Sequence, residues 1–207
     1  MREFNKVGYI GGTFDPPHLG HVIIAREAFI QLNLDAVLWL ITPDPPHKQD
    51  REITPVQDRL EMLELVTGRY DEFYTSTVDL ERSPPYYAAE TVGIIKDKDP
   101  EVDLVYIIGE DSLRDLANWY APELFLSTID RLAVAPRPGF NTDLDALDKK
   151  LPGLKSKVEF LDQVMVDISS SLIRERIKEG IAYDHFLLED IADTIKKNQL
   201  YQASDFN

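Results

Sequence analysis

Two histidines and three glycines lie close together in the segment Gly11–His21, which reads GGTFDPPHLGH. An apolar run, Val7–Ile10, comes directly before this segment, and an apolar pattern of helical period begins at Val22. The pattern predicts a short buried strand followed by a helix, with the segment forming the turn between them. Turns of this kind bind phosphate groups in α/β proteins.

The residue types in this turn suit a polyphosphate. Gly11, Gly12 and Gly20 would let the backbone approach a ligand closely. His18 and His21 are three residues apart across the helix start, so both imidazoles can lie on one face, beside backbone N–H groups and the positive end of the helix dipole. Each feature alone also has a structural explanation, as a cap, a loop residue or a common glycine pair. Together they favour a nucleotide site.

Two common phosphate-binding motifs do not fit this turn. A Walker loop is excluded because the Gly-Lys-Ser/Thr ending is missing, and the glycine spacing differs from that of the dinucleotide fingerprint. Histidines stand in for the usual lysine.

The complete segment resembles the signature of the His-x-Gly-His nucleotidyltransferase superfamily, in the form found in bacterial nicotinate-nucleotide adenylyltransferases. Four further segments resemble that family's motifs, in the family's order: Pro43–Lys48, Ile107–Leu113 with Trp119, Arg137–Gly139 and Ile168–Arg174. The resemblance implies a Rossmann-like α/β fold, an open parallel sheet with helices on both faces. It also implies transfer of an adenylyl group from ATP to nicotinate mononucleotide, giving deamido-NAD and pyrophosphate in NAD biosynthesis.

The resemblance further implies a role for each motif residue. The catalytic groups around the reacting phosphates would be His18, His21, Lys48 and Arg174. ATP would be bound by Gly11, Gly12, Thr13, Phe14, His18, Gly20, His21, Gly109, Asp111, Ser169, Ser170, Ser171 and Arg174. The mononucleotide would be bound by Lys48, Tyr87, Ala88, Trp119, Tyr120 and Arg137.

Adenylyl transfer needs alignment and positive charge rather than a nucleophile on the protein, because a phosphate oxygen of the mononucleotide attacks the α-phosphorus of ATP in line. His18 and His21, protonated or hydrogen-bonding, would stabilise the charge that develops there. Mg²⁺ is expected to accompany ATP and to bridge the triphosphate while keeping several waters, since the sequence shows no dedicated carboxylate cage. No residue is assigned as a metal ligand, and Asp15 could either bind the metal or support the turn.

The run Ser169–Ser171 with Arg174 has two explanations. Serine is a favoured N-cap, so one hydroxyl could cap the following helix while Arg174 faces water. A helix start with spare hydroxyls and an arginine one turn later is also suited to β- and γ-phosphates. The residues alone favour neither, and the resemblance assigns this segment to the triphosphate of ATP.

The identity of the second substrate depends on the residues expected around its pyridine ring. By resemblance, Trp119 would stack on the pyridine ring and the backbone N–H of Tyr120 would meet the nicotinate carboxylate, although core packing is the alternative for a tryptophan. Ala88 stands where the family has a threonine, Glu90 where it has an aspartate, and Glu110 where it usually has a small residue. Nicotinamide mononucleotide therefore stays open as a substrate.

Other functions are weighed beside this one. A related transferase could act on phosphopantetheine or, with CTP, on an alcohol phosphate, but those enzymes usually lack the full motif set. A pyridine-nucleotide sensor without turnover is an alternative of another class. The intact pair of His18 and His21, with no appended DNA-binding segment, disfavours it.

Composition agrees with one small enzyme domain. The 207 residues are 43% hydrophobic, and we expect 1–207 to form a single nucleotidyltransferase domain that includes the helical region 168–200. The net charge of −15 disfavours nucleic acid and anionic membranes and favours small-molecule substrates. There is no cysteine, Met1–Lys6 is not apolar, and no run approaches the roughly 20 apolar residues of a membrane span, so we expect a cytoplasmic protein. A homo-oligomer is one alternative for the assembly.

Apolar runs alternate with amphipathic stretches, which predicts βαβ units around a parallel sheet. Strands are predicted near residues 7–11, 36–41, 73–79, 104–109, 131–135 and 158–161. Helices are predicted near residues 20–32, 55–67, 87–97, 112–118, 170–179 and 187–197. The second helix is expected to have Thr54 as its cap and Pro55 at its first position. The motif residues follow the first, second, fourth and last strands, so we expect them to meet at the carboxyl edge of the sheet.

Overall fold

The structure, a computed structural model, describes residues 4–44, 53–162 and 165–202. Its centre is a sheet of six strands in the order β3-β2-β1-β4-β5-β6, and every neighbouring pair is parallel. The strands are β1 Lys6–Gly12, β2 Ala36–Ile41, β3 Phe73–Ser76, β4 Asp103–Gly109, β5 Arg131–Ala135 and β6 Val158–Phe160. The predicted α/β class, an open parallel sheet, is confirmed.

The helices of the described residues connect these strands. They are α1 Leu19–Gln31, α2 Val56–Thr67, α3 Ala88–Lys98, α4 Glu110–Asp115, α5 Pro122–Thr128, α6 Leu144–Lys150, α7 Leu154–Lys157, α8 Ser170–Lys178 and α9 Glu189–Lys197. Two single turns of 3₁₀-helix lie at Leu116–Asn118 and Asp184–Phe186. Across the described part of the chain, no helix combines the length and apolar character that crossing a membrane requires.

Helices cover both faces of the sheet, and the strand residues divide between them by alternation. In β4, Val105 and Ile107 belong to a core with α1, α2, α8 and α9, whereas Leu104 and Tyr106 belong to a core with α3, α5 and α6. A parallel strand buried on both sides reads as a continuous apolar run, because neither of its faces meets water. This explains why the strands were predictable from uninterrupted hydrophobic segments.

The winding direction reverses between β1 and β4. The chain moves from β1 outwards to β2 and β3, and then returns to place β4 on the other side of β1. Gly11 and Gly12 pair in register with Leu40 and Ile41 of β2, while Ile10 is opposite Ile107 of β4. The carboxyl ends of the three central strands are therefore level, and the crevice beyond them is where ligands bind in open α/β sheets.

Three sequence predictions need correction. Thr54 does not cap α2: the helix begins at Val56, Pro55 is the capping residue, and no side chain caps it. The predicted helix 112–118 is divided into α4 and a 3₁₀ turn, and β3 ends at Ser76 rather than near residue 79. Helix α5 was not predicted, because its seven residues are too few for a clear period and Pro122 at its start was the sole local signal.

The fully buried Trp39 gives a test of the fold. Its ring, on β2, lies 5.3 Å from the ring of Phe14 in the turn after β1 and 5.3 Å from the ring of Phe73 in β3. Trp39→Ala should lower the free energy of unfolding by about 3–5 kcal/mol, because a large cavity cannot close in a packed core. Trp39→Phe should cost less, since it keeps an aromatic ring there.

Urea denaturation of both variants measures this effect. Ile30→Ala, at a residue 55% exposed on α1, serves as the control and should change stability by less than about 0.5 kcal/mol. A Trp39→Ala variant as stable as the control would contradict the packing described.

Candidate active site

The turn after β1 ends in an unusual cap on α1, made by two imidazoles. His18 is the N-cap residue, and its Nδ1 accepts a hydrogen bond from the backbone N–H of His21 at 3.4 Å. In return, Nδ1 of His21 accepts from the backbone N–H of His18 at 3.2 Å. In a neutral imidazole one nitrogen accepts and the other carries the proton, so both rings have Nε2–H as a donor.

The two rings are held face to face. Their centroids are 3.7 Å apart and their planes differ by 20°. Gly20 makes room for this arrangement, because a Cβ at that position would lie 3.0 Å from Nδ1 of His18. The open side of Gly20 is thus occupied by the His18 ring.

His18 is buried and uncharged. Only 4% of its surface is exposed, and burial, assisted by the nearby charge of Arg137, lowers the pKa of its imidazole to about 3 despite an opposing backbone hydrogen bond. The sequence analysis allowed a protonated ring or a hydrogen-bonding ring. For His18 in the free protein, the structure favours the neutral, hydrogen-bonding ring. His21 lies above it, with its ring edge against Phe14 at 5.1 Å.

A cavity of about 800 Å³ opens beyond the carboxyl ends of β1, β2 and β4. Eleven residues with predicted binding roles line it: Gly11, Gly12, Thr13, His21, Tyr87, Ala88, Gly109, Asp111, Trp119, Tyr120 and Arg137. Segments after β1, β3, β4 and β5 therefore meet at one edge of the sheet, as expected for those after the first and fourth strands; the serine run after the last strand is not among the lining residues. The cavity can hold a dinucleotide-sized ligand, since ligand sites commonly measure 300–1,000 Å³.

Other predicted site residues lie outside this wall. His18, Gly20 and the Phe14 side chain are buried beneath the turn, and Phe14 adopts a positive φ of 50° with its ring in the core. Phe14 can therefore offer a ligand its backbone and not its ring. Lys48, together with the Pro-Pro-His-Lys loop, lies outside the described residues.

The serine run and Arg174 contact the turn rather than the cavity. Ser169 caps α8 through a 3.2 Å hydrogen bond from the N–H of Leu172. Ser170 donates its hydroxyl to the carbonyl of Pro16 at 2.9 Å, and Arg174 donates to the carbonyl of Asp15 at 2.6 Å and to Oγ of Ser171 at 3.1 Å. The capping explanation is confirmed for Ser169, and the start of α8 holds the turn at residues 15–16.

Asp15 supports the turn from below. Its side chain is 1% exposed, and Oδ1 accepts a 2.9 Å hydrogen bond from the hydroxyl of Tyr201, far along the chain. Burial and the adjacent Asp15 raise the pKa of the Tyr201 phenol well above its usual value, so it stays a donor. The buried carboxylate of Asp15 therefore acts on the turn, and it does not line the cavity.

Arg59 is a residue of the site that sequence reasoning missed. Its side chain is 1% exposed, and burial lowers its pKa. It donates hydrogen bonds of 2.5–2.9 Å to four backbone carbonyls, those of Thr13, Thr42, Pro43 and Thr54. The available signal was an arginine on the apolar face of α2, three and four residues before the buried Met62 and Leu63.

At the far end of the cavity, Tyr87 and Tyr120 form an aromatic stack. Their ring centroids are 4.1 Å apart with an interplanar angle of 16°. Trp119 lines the cavity and also packs on Phe125, at 5.4 Å, so both explanations for this tryptophan apply to it.

A network around Arg82 holds the loop that carries Tyr87. Arg82 donates to Oδ1 of Asp79 at 2.8 Å, to Oε2 of Glu90 at 2.7 Å and to Oγ1 of Thr91 at 3.1 Å. Glu90, which departs from the family's aspartate, therefore has a partner of its own in this protein. Its longer side chain ties the start of α3 to the loop before it.

Arg137 reaches the cavity from the loop after β5. Its Nε lies 3.2 Å from Oδ1 of Asp111 in an ion pair. Gly109 allows this pair to approach, since a Cβ there would lie 2.5 Å from Oδ1 of Asp111. Glu110, the other departure from the family pattern, is 5% exposed and accepts hydrogen bonds from the backbone N–H groups of Arg137 and Thr142, at 3.2 and 3.0 Å.

Comparison with known proteins places the chain in a family. A sequence model described as cytidylyltransferase-like matches residues 9–176. A relative from Dehalococcoides mccartyi is 40% identical over 198 residues, 95% of this chain and 97% of the relative. A relative from Bacillus cereus is 40% identical over 200 residues, 96% of this chain and 99% of the relative. Both are named "Probable nicotinate-nucleotide adenylyltransferase".

Solved structures share the fold. The Plasmodium falciparum nicotinic acid mononucleotide adenylyltransferase complexed with NaAD is similar with a TM-score of 0.76 and 20% identity, over 98% of both chains. The same organism's enzyme complexed with APC gives a TM-score of 0.75 at 19% identity, again over 98% of both chains. The structural likeness establishes the fold, and the sequence relatives establish the family: this chain belongs to the nicotinate-nucleotide adenylyltransferases of the cytidylyltransferase-like family.

Proposed function

We propose that the protein transfers the adenylyl group of ATP to nicotinate mononucleotide in the cavity beyond β1, β2 and β4. A phosphate oxygen of the mononucleotide forms a bond to the α-phosphorus of ATP, the bond from that phosphorus to the bridging oxygen breaks, and pyrophosphate leaves. The products are deamido-NAD and pyrophosphate. The observation that carries the proposal is the stacked pair of His18 and His21 at the start of α1, with His21 on the cavity wall.

The geometry of the pair supports a role in stabilising charge. Each Nδ1 accepts a backbone hydrogen bond, so each Nε2–H remains the donor of its ring. Fixed donors at the start of a helix suit oxygens on which negative charge develops during transfer, because they need no reorganisation when the reaction occurs. His21 would contact the phosphate oxygens, and His18 beneath it would hold its orientation.

The cavity divides into two ends that suit the two substrates. ATP would lie along Gly11–Thr13 and against Gly109 and Asp111, next to His21. The mononucleotide would lie at the aromatic end, near Tyr87, Ala88, Trp119 and Tyr120, with Arg137 as a cation for its phosphate. An indole beside a pyridinium ring contributes roughly 0.5–2 kcal/mol of cation–π attraction.

The remaining assignments extend this proposal. Lys48 would add a cation near the reacting phosphates, and Ser169–Ser171 with Arg174 would hold the β- and γ-phosphates at the start of α8. The contact of α8 with residues 15–16 supports the second assignment, because it places those groups beside the phosphate turn.

Mg²⁺ would be carried by ATP. Among the described residues, no three His, Asp or Glu side chains are close enough together to hold a metal ion, and Mg²⁺ is commonly held by substrate phosphates and water. The net charge of −15 supports small-molecule partners in the cytoplasm over nucleic acid or an anionic membrane surface.

His21→Ala tests the catalytic assignment. We expect kcat to fall at least about 10²-fold, with a smaller change in KM, because a donor to the reacting phosphates acts mainly in the transition state. Ile23→Ala, an exposed position on the same helix, is the matched control. Pyrophosphate release measures the rate, and circular dichroism confirms folding. A folded His21→Ala variant with nearly full activity would contradict the role.

The uncharged state of His18 predicts the pH dependence. Since the pKa of its imidazole is lowered to about 3 from 6.5, raising the pH through 6.5 removes no proton from His18 in the free protein. Because kcat/KM reports the free enzyme, loss of a proton from His18 should cause no fall in it between about pH 6 and pH 8. A decline centred near pH 6.5 in the wild type, absent from His18→Gln, would show that a charged His18 is required.

Comparing the acid and amide mononucleotides tests the substrate assignment. With ATP and Mg²⁺ present, we expect pyrophosphate release with nicotinate mononucleotide and a kcat/KM at least about tenfold lower with the amide, because a carboxylate and a neutral amide differ in charge at the aromatic end. Equal or higher activity with the amide would assign the protein to nicotinamide mononucleotide. Binding of both without any turnover would leave the sensor function.

A further inference from the structure

Acidic side chains outnumber basic ones on the described wall of the cavity. Among the described residues that line it, Arg137 is the sole arginine or lysine, whereas Asp79, Asp111 and Asp115 are carboxylates. Two anionic nucleotides must bind against this wall if the proposed function holds. The position of Arg137 therefore has a large effect on binding, because few other positive groups compensate for its displacement.

Arg137 lies in a segment without regular secondary structure. β5 ends at Ala135 and α6 begins at Leu144, so no helix or strand holds the intervening residues; within them, the Phe140 N–H donates to the carbonyl of Arg137 at 3.2 Å. A loop of this kind samples several conformations unless side chains bind its backbone. The sole arginine of the described cavity wall is thus on a segment outside the helices and strands.

Asp111 pairs with the Arg137 side chain, and the Glu110 carboxylate binds the loop backbone. Glu110 is the first residue of α4, and its side chain is buried. Its Oε2 accepts the N–H of Arg137 at 3.2 Å and its Oε1 accepts the N–H of Thr142 at 3.0 Å. One carboxylate therefore binds the two ends of a six-residue stretch.

Electrostatics alone would not favour an acidic residue here. Glu110 is 5% exposed, next to a site for anions, where its charge repels the substrates and its burial costs solvation free energy. The two N–H donors to its two oxygens compensate for that cost.

We propose that Glu110 is a positioning residue, which binds the loop 137–142 at both ends and thereby fixes Arg137 for the phosphate of the mononucleotide. The inference rests on the proposed function for the identity of that ligand. The loop contact itself does not depend on it.

Glu110→Gln provides a near-isosteric test. A carboxylate has two acceptor oxygens, whereas an amide has one acceptor and one donor group, so glutamine can serve only one of the two N–H groups. Hydrogen exchange followed by NMR reads both sites directly. We expect the amide of Arg137 or of Thr142 to exchange at least about tenfold faster in the variant, while core amides of β4 are unchanged. Unchanged exchange at both positions would overturn the proposal.

Steady-state kinetics tests the consequence for the site. We expect KM for the mononucleotide to rise roughly tenfold in Glu110→Gln, the equivalent of one lost buried hydrogen bond, with kcat changed less than about threefold. Asp115→Asn is the control: it removes a carboxylate from the cavity wall, and among the described hydrogen bonds Asp115 makes none with the loop. If charge alone mattered, both variants would lower KM.

The outcomes separate the two proposals. A lower or unchanged KM in Glu110→Gln, with faster exchange in the loop, would show that Glu110 holds the loop without placing Arg137 for substrate, and would overturn the inference while the proposed function stands. Absence of pyrophosphate release by the wild type with either mononucleotide would instead overturn the proposed function. In that case, titration calorimetry would test the inference, which predicts that Glu110→Gln binds the mononucleotide more weakly than the wild type does.

Discussion

The reciprocal capping of α1 by His18 and His21 is the interaction on which the rest of the site depends. Helix starts need acceptors for their N–H groups, and most proteins use a hydroxyl or a carboxylate there. Here the acceptors are imidazole nitrogens, so satisfying the backbone also fixes the tautomer and plane of both rings. The two hydrogen bonds that satisfy the helix start thus also hold the imidazoles in the orientation that the proposed phosphate transfer would use.

The turn that carries these rings is held from the side opposite the cavity. Arg59 binds carbonyls of three segments, Arg174 binds the carbonyl of Asp15, and Tyr201 binds its carboxylate. Two arginines and a tyrosine thus donate hydrogen bonds to carbonyl and carboxylate oxygens of the turn, on the side away from the cavity. This leaves the backbone of Gly11–Thr13 at the cavity wall, where an anion needs N–H donors rather than carbonyls.

Much of this arrangement could be predicted from the sequence, for physical reasons that differ between elements. The central strands are continuous apolar runs because both of their faces are buried. The glycine-rich turn is a single short segment, so its residues are close together in any fold. The role of Arg59 could not be predicted in the same way, because the sequence does not indicate to which distant carbonyl groups an arginine will donate hydrogen bonds. The role of Ser169–Ser171 was ambiguous, because helix capping and ligand binding use the same hydroxyl groups. The burial of His18 could not be predicted, because it depends on packing against residues that are distant in the sequence.

The bond between Tyr201 and Asp15 joins residues 186 positions apart. Contacts at such separation form late, because the intervening chain must first be ordered before its closure is favourable. During synthesis from the amino end, the opening strand and the first crossover can pair while the phenol that supports them is still untranslated. All six strands are thus synthesised before the hydroxyl that binds Asp15, so the turn after the first strand receives this support only when the last helix has been made.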